Sequence, residues 1–420
     1  MIIPAKQAGI WALWDFATSF AGAVFAIYFS QWLVIDHHVS DLNFNLIFVV
    51  SSLLLIPTAP VLGVYVDKIR VKLPALRATT ICTFIFLVGI SLLAQFARPT
   101  GTVVFLVLVG LIAAQYFFQL SFVFYNPLLG DVGDTDDQAR ISGLGEGAAS
   151  LGHLSGLLLT LPLATGVLYF FGHHDESQVF LPSAVIFMAL TLPMLLYFKE
   201  RSKPVKAEGF HIAEEVKNLA HHFRGLKRFP GVIRFLFAMF FFNDAVLTAA
   251  DNFPIYIHRV FNVNEQAKVF LLASVLIMTG VGAIASGYIV PQGGKKKLLL
   301  VLLASWVVLL PITALQKHLI PFIICMTLVG LLLGATGAVA RTVMIYLSPR
   351  EELTHIFAYY SMTARLASFL GPLTWGLITL AFRGHGHVKY QVALAAMAVF
   401  VWIGYLLVRS IPEENELQAI

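Results

Sequence analysis

Residues 199–230 read KERSKPVKAEGFHIAEEVKNLAHHFRGLKRFP, the one long polar interruption in this chain. On its N-terminal side lie six apolar stretches, near 10–35, 44–66, 77–96, 102–128, 141–171 and 179–198. On its C-terminal side lie six more, near 231–258, 268–290, 298–316, 319–347, 355–382 and 389–409. A helix of ~20 mostly apolar residues crosses a bilayer. With no water there to satisfy backbone groups, each span must be helical unless protein buries it. The division predicts an all-α membrane protein of twelve transmembrane helices in two pseudo-symmetric six-helix bundles. The expected layout is a bundle over 1–198, a cytoplasmic linker over 199–230, a second bundle over 231–410 and a cytoplasmic tail over 411–420.

Composition agrees. The 420 residues are 58% hydrophobic and 12% charged, where a soluble domain carries roughly 25% charge. The first span is too long for a signal peptide, contains Asp15 and precedes no small-residue cleavage site. Cys82 and Cys325 both fall inside spans and offer neither a disulfide framework nor a metal site. The net charge of +5 follows topology and does not imply nucleic acid. Twenty of the 28 Lys and Arg fall on the face shared by the termini and the linker, six on the other, and Arg341 and Arg365 lie within spans. The positive-inside rule puts both termini and the linker in the cytoplasm, and a bacterial inner membrane is the expected location. Within the linker, Ile212, Val216, Leu219, Phe223 and Leu226 recur at helical spacing between basic residues, which predicts an amphipathic helix on the inner membrane surface.

Charge inside hydrocarbon is costly and marks a pathway. In the seventh span Asp244, Thr248, Asp251, Ile255 and His258 share one helix face. In the first span Asp15 and Ser19 share a face with Gly22, and in the fourth Gln115 and Gln119 share one with Asn126. The fifth carries Ser142, Glu146, Ser150 and His153 on one face, and Ala148, Gly152 and Gly156 on another that suits close helix packing. The eleventh aligns Ser361, Arg365 and Ser368, and Gly371-Pro372 should bend it. Four buried acids (Asp15, Glu146, Asp244 and Asp251) thus face two arginines, Arg341 and Arg365. At least two acids therefore lack a partner in that set, the raw material of proton coupling. For Asp15 and Asp244, placed close to the inner boundary, an arginine tie or contact with cytoplasmic water stands beside the coupling reading. Asp251 lies deeper, where a pathway role is favoured.

The halves echo each other. Trp14-Asp15 is followed by Tyr28, and Asn243-Asp244 by Tyr256. Gly63-x-x-x-Asp67-Lys68-x-Arg70-x-Lys72 follows the second span, and Gly287-Tyr-Ile-Val-Pro291 with Lys295–Lys297 follows the eighth. Both stretches are expected in cytoplasmic loops.

The first of these stretches resembles the signature of the major facilitator superfamily, with Arg70 where the family usually has glycine. That resemblance implies transport by alternating access between two halves. It also implies a cavity lined by helices 1, 4, 7 and 10, and a gating latch of Gly63, Asp67, Lys68 and Arg70.

Four further stretches resemble the vacuole-effluxer-like, autophagy-associated branch. They are Trp14-Asp15-Phe16-Ala17-Thr18-Ser19, Tyr125-Asn126-Pro127-Leu128-Leu129, Asn243-Asp244-Ala245-Val246-Leu247-Thr248, and Arg365 through Gly371-Pro372 to Trp375. Thr18 stands where the branch has asparagine, Ala245 where it has glycine and Arg365 where it has lysine. An amino-acid-like substrate is implied by that resemblance alone.

The expected function is secondary active transport of a small zwitterion or organic anion. Arg341, Arg365, Gln119, Asn126, Trp14, Tyr125 and Thr248 are the expected substrate contacts. Trp11 and Tyr116 are further aromatic candidates beside them. Asp15, Asp244, Asp251, Glu146 and His153 are the expected coupling groups for H⁺ or Na⁺. The other expected partners are the solute and the lipid bilayer, and the protein is expected to act as a monomer. No phosphate-cradling loop, nucleophile elbow or His-Glu-x-x-His motif occurs, so neither a cofactor nor an enzyme is expected. The paired histidines lie in loops and read as interfacial side chains. Two alternatives stay open: a drug-like or metabolite efflux antiporter, and a non-transporting receptor or scaffold on the same fold.

Overall fold

A computed structural model describes residues 5–98, 100–132, 135–170, 175–201, 228–348 and 367–413, with 356, 359, 360 and 363 besides. No strand occurs among the described residues. The helices are α1 (Ala5–Gln31), α2 (Asp41–Ile69), α3 (Leu73–Phe96), α4 (Gly101–Tyr125), α5 (Thr135–Ala164) and α6 (Phe180–Tyr197). They continue with α7 (Pro230–Phe261), α8 (Glu265–Gly293), α9 (Lys295–Ala314), α10 (Leu319–Leu347), α11 (Leu370–Ala381) and α12 (Val388–Arg409). Eleven stretches are long and apolar enough to cross a bilayer, and α11 is a shorter apolar helix. The chain is a multi-pass integral membrane protein. The expected linker helix over 212–226 lies outside the described residues.

The chain divides into two compact units. Unit 1 is Met1–Val39 with Val50–Leu219, and unit 2 is Ser40–Val49 with Ala220–Ile420. The first residues of α2 thus pack with unit 2.

In unit 1, α1 is the central helix and is buried against α5 and α6. Trp14, Phe20, Tyr28, Phe29 and Trp32 are all fully buried. Phe29 stacks on Phe180 of α6 with ring centroids 3.7 Å apart. The small-residue ridge of α5 meets α1 as its spacing suggests. A Cβ at Gly156 would stand 2.7 Å from the Phe20 carbonyl oxygen, and one at Gly152 would overlap the Phe16 carbonyl.

In unit 2, α7 takes the central place. It opens on Pro230 in its first turn, where a missing N–H costs nothing. It closes on Asn262 in the left-handed region, with His258 and Arg259 in the last turn favouring the helix dipole. Phe235, Asp244, Thr248, Asn252 and Tyr256 are buried along its length.

Three expectations are corrected. The stretch from Gly63 to Lys68 is not a loop but the last part of α2, and Gly287 to Pro291 lies inside α8. Lys68 is a good helix former and no residue up to Ile69 forces a turn, so α2 continues past its apolar run. Asp244 is not near the inner end of its helix; it lies fourteen residues into α7, close to the middle. The eleventh helix is interrupted rather than bent: residues 367–369 are non-helical and α11 begins at Leu370.

Candidate functional site

Each unit carries an aspartate of its central helix against a glycine. In unit 2 the Asp244 carboxylate accepts hydrogen bonds from the Phe369 amide at 3.1 Å and the Gly371 amide at 2.7 Å. These are orphan donors at the start of α11, so Asp244 caps a helix whose preceding residue, Phe369, lies 125 residues further on. Gly371 permits the approach. A Cβ there would stand 2.8 Å from the Asp244 carbonyl oxygen and collide with Thr248 Oγ1. Asn243-Asp244 through Thr248 and Ser368 through Pro372 are thus two sides of one contact. In unit 1 the Asp15 carboxylate faces Gly145 of α5, where a Cβ would stand 3.1 Å from Oδ2 and 2.5 Å from the Trp11 ring.

The aromatic residues of unit 1 are engaged with one another. Tyr125 lies between Trp11 and Trp14, with centroids 4.7 Å and 4.0 Å away, and donates its hydroxyl to the Trp11 carbonyl at 2.9 Å. Trp14 and Tyr125 are both about fully buried, at 1% exposure, so they form the packing of α1 on α4. Thr18 donates to the Trp14 and Asp15 carbonyls. Tyr116 donates to Thr58 at 3.0 Å. Gln119 is half-buried and its carbonyl oxygen has no hydrogen-bond partner among the described residues. Asn126 is half-buried at the start of the 3₁₀ turn that ends α4. His153 Nδ1 lies 2.9 Å from the Ala149 carbonyl and donates to it.

Asp251 differs from Asp244. It is half-buried on α7, one face with Asp244 and Thr248, and makes no hydrogen bond or ion pair among the described residues. Thr248 is fully buried and its hydroxyl has no hydrogen-bond partner among the described residues. Arg341 is exposed on α10 and is engaged elsewhere than with Asp251. Arg365 and Ser361 lie outside the described residues, as do the side chains of Glu146 and Asp67. Gly63 meets Val123 at ordinary contact distance, 3.7 Å from a built Cβ. Lys68 is half-buried and engaged. Arg70 is exposed and sits at φ 61°, in the left-handed region that favours glycine.

Sequence reasoning missed a polar layer in unit 2. Asn45 and Asn252 are fully buried and exchange two side-chain hydrogen bonds of 2.9 Å. Toward the end of α7, Asp41 accepts from Lys389 at 2.6 Å and from Tyr390 at 3.2 Å. Lys268 is fully buried and pairs with Glu265 on the first turn of α8. An amide or lysine within or beside an apolar run was the available signal.

Two units of long apolar helices, with acid and amide side chains buried along α7 and large apolar side chains exposed, fit a membrane transporter of the major facilitator type. Solved structures agree on the fold. A bacterial homologue of the human lysosomal transporter Spinster, inward-facing and unoccupied, superposes with a TM-score of 0.74 at 14% identity, over 97% of this chain and 96% of that one. A D-xylose–proton symporter gives 0.67 at 13% identity, over 98% and 99%. Within the class, the family model described as vacuole effluxer Atg22 like matches residues 130–418, and the chain belongs to that family. The uncharacterized MFS-type transporter YxiO of Bacillus subtilis (strain 168) is 21% identical over 422 residues, 98% of this chain and 96% of that protein. Autophagy-related protein 22 of Vanderwaltozyma polyspora is 26% identical over 168 residues, 36% of this chain and 32% of that protein.

Proposed function

We propose that this transporter is a secondary active carrier that moves a small zwitterionic or anionic organic solute, amino-acid-like in character, by alternating access coupled to protons. The observation that carries the reading is Asp251. A carboxylate on a membrane-spanning helix that pairs with nothing among the described residues needs a proton or a cation when water leaves. Asp244 is committed to the cap of α11, which leaves Asp251 as the acid of α7 free to exchange a proton. The proton named for the D-xylose symporter and the effluxer description of the family favour the same reading. Arg341 and Arg365 supply the charge for an anionic group. Gln119, Asn126 and Thr248 supply hydrogen bonds. Gly63, Asp67, Lys68 and Arg70 form the gating element, with both termini in the cytoplasm of a bacterial inner membrane and the protein acting as a monomer.

The test uses the purified protein in vesicles with an imposed pH gradient. Asp251→Asn is expected to bind substrate and to catalyse counterflow, which moves no net proton, but to lose gradient-driven accumulation. Accumulation at the wild-type level in this variant refutes coupling through α7. Accumulation driven by a sodium gradient alone reassigns the ion.

A further inference from the structure

On the outer surface of unit 1, α3 and α6 leave a groove of about 310 Å³ lined by Arg77, Ile81, Met188, Leu192, Leu195 and Leu196. Five of its six lining residues are apolar, and Ile81, Leu192 and Leu196 are exposed. The sixth is a guanidinium. Arg77 Nε donates to the Leu195 carbonyl at 2.6 Å. That carbonyl is one of the last four of α6, which have no partner within their own helix. The bond therefore fixes the arginine at the mouth of the groove with its two Nη groups left over, a fork suited to phosphate oxygens.

No carboxylate among the described residues pairs with Arg77. The nearby acid is already spent. Glu200 accepts from the Lys72 amide at 2.7 Å and the Leu73 amide at 3.1 Å, capping the start of α3, and lies 3.9 Å from Lys72 Nζ. Arg77 is thus a fixed cation without a counter-ion among the described residues, near the start of α3 and the end of α6 where apolar surface begins. Water alone would satisfy the guanidinium, but it would leave the apolar groove wet. One ligand satisfies both parts: an anion carrying a hydrocarbon chain.

We propose that this groove is a binding site for an acidic phospholipid, with its phosphate on Arg77 and an acyl chain along Ile81, Met188 and Leu192. The site is independent of the transport reading and needs only that the chain spans a membrane. A basic residue at a membrane surface favours an anionic headgroup by about fivefold.

The experiment is native mass spectrometry of the full chain in detergent with equimolar phosphatidylglycerol and phosphatidylcholine, alongside thermal melting. The wild type is expected to retain one phosphatidylglycerol with about fivefold preference. Arg77→Gln, which keeps a donor for the Leu195 carbonyl, is expected to lose the preference. Leu192→Trp fills the groove, leaves Arg77 in place and is expected to lose the retained lipid; it carries the test if the first variant fails to fold. Equal retention of the two lipids by the wild type overturns the proposal, as does unchanged preference in Leu192→Trp. If inorganic phosphate raises the melting temperature as far as phosphatidylglycerol does, the site takes a soluble anion and the proposal fails.

Discussion

Replacing Asp244 by alanine removes both acceptors at the start of α11. The amides of Phe369 and Gly371, at 3.1 Å and 2.7 Å, lose a charged partner in a place where Asp244 and Gly371 are both buried. A hydrogen bond to a charged group contributes about 1.5–3 kcal/mol. Loss of a helix cap costs ~0.5–2 kcal/mol by itself. Relaxation and water entry recover part of the sum, which leaves a local destabilisation of about 2–4 kcal/mol. The change acts on the opening of one helix start, so hydrogen exchange is the suitable assay. At 1.4 kcal/mol per tenfold, amides of residues 369–373 are expected to exchange roughly 30- to 1000-fold faster. Asp251→Asn is the control, because Asp251 bonds no amide among the described residues and is expected to leave that segment unchanged. Exchange at 369–373 that rises less than tenfold in Asp244→Ala refutes the cap. Equal rises in both variants refute the division of labour between the two aspartates.

The remaining predictions rest on single contacts. Arg70→Gly relieves a left-handed residue and is expected to stabilise the protein by ~0.5–1 kcal/mol in thermal melting, because the strain relieved exceeds the added chain entropy. Gly152→Val drives a branched side chain into the Phe16 carbonyl and is expected to cost ~3 kcal/mol or more; Gly147→Ala, at a position open to space, is expected to melt near the wild type. Asn45→Ala and Asn252→Ala each strand a buried amide, so a double-mutant cycle on unfolding is expected to give a coupling of ~1–3 kcal/mol; additive effects would mean that the pair is broken in solution.

The membrane class and the helix count were legible because hydropathy acts residue by residue. Helix ends were less legible. Gly63 to Lys68 looked like loop because its charges end the apolar run, yet nothing there breaks a helix until Arg70 turns left-handed. Trp14 and Tyr125 read as substrate-facing aromatics, but Tyr125 hydrogen-bonds the backbone of α1 and fills the gap between two indoles. The cap at Asp244 was beyond pattern reading, since its partners are main-chain amides that become orphans only because the eleventh helix is interrupted. The ridge of Gly152 and Gly156 was readable, because small residues at that spacing have few other uses in a membrane helix.

Among the described residues, the repeat separates Asp15 and Asp244 from Asp251. Asp15 and Asp244 occupy matching places, each on the central helix of its unit and each 3.1 Å from a built Cβ on a glycine of a later helix, Gly145 or Gly371. A contact present in both units serves what both units need, the close packing of those helices. Seven residues past Asp244 stands Asp251; seven past Asp15 stands Gly22, whose nearest neighbour is the Phe118 ring. The second acid therefore has no counterpart and no packing duty that the repeat demands. An unpaired carboxylate held on a buried helix is costly, and unit 1 does without one at the matching place. Gly22→Asp and Asp251→Gly test this together. The first is expected to destabilise unit 1, because it sets a carboxylate against an aromatic ring with no partner. The second is expected to leave exchange at 369–373 unchanged while abolishing accumulation driven by a pH gradient. If Asp251→Gly instead accelerates exchange along α7 and α11 as strongly as Asp244→Ala, Asp251 belongs to the packing and the asymmetry carries no functional meaning.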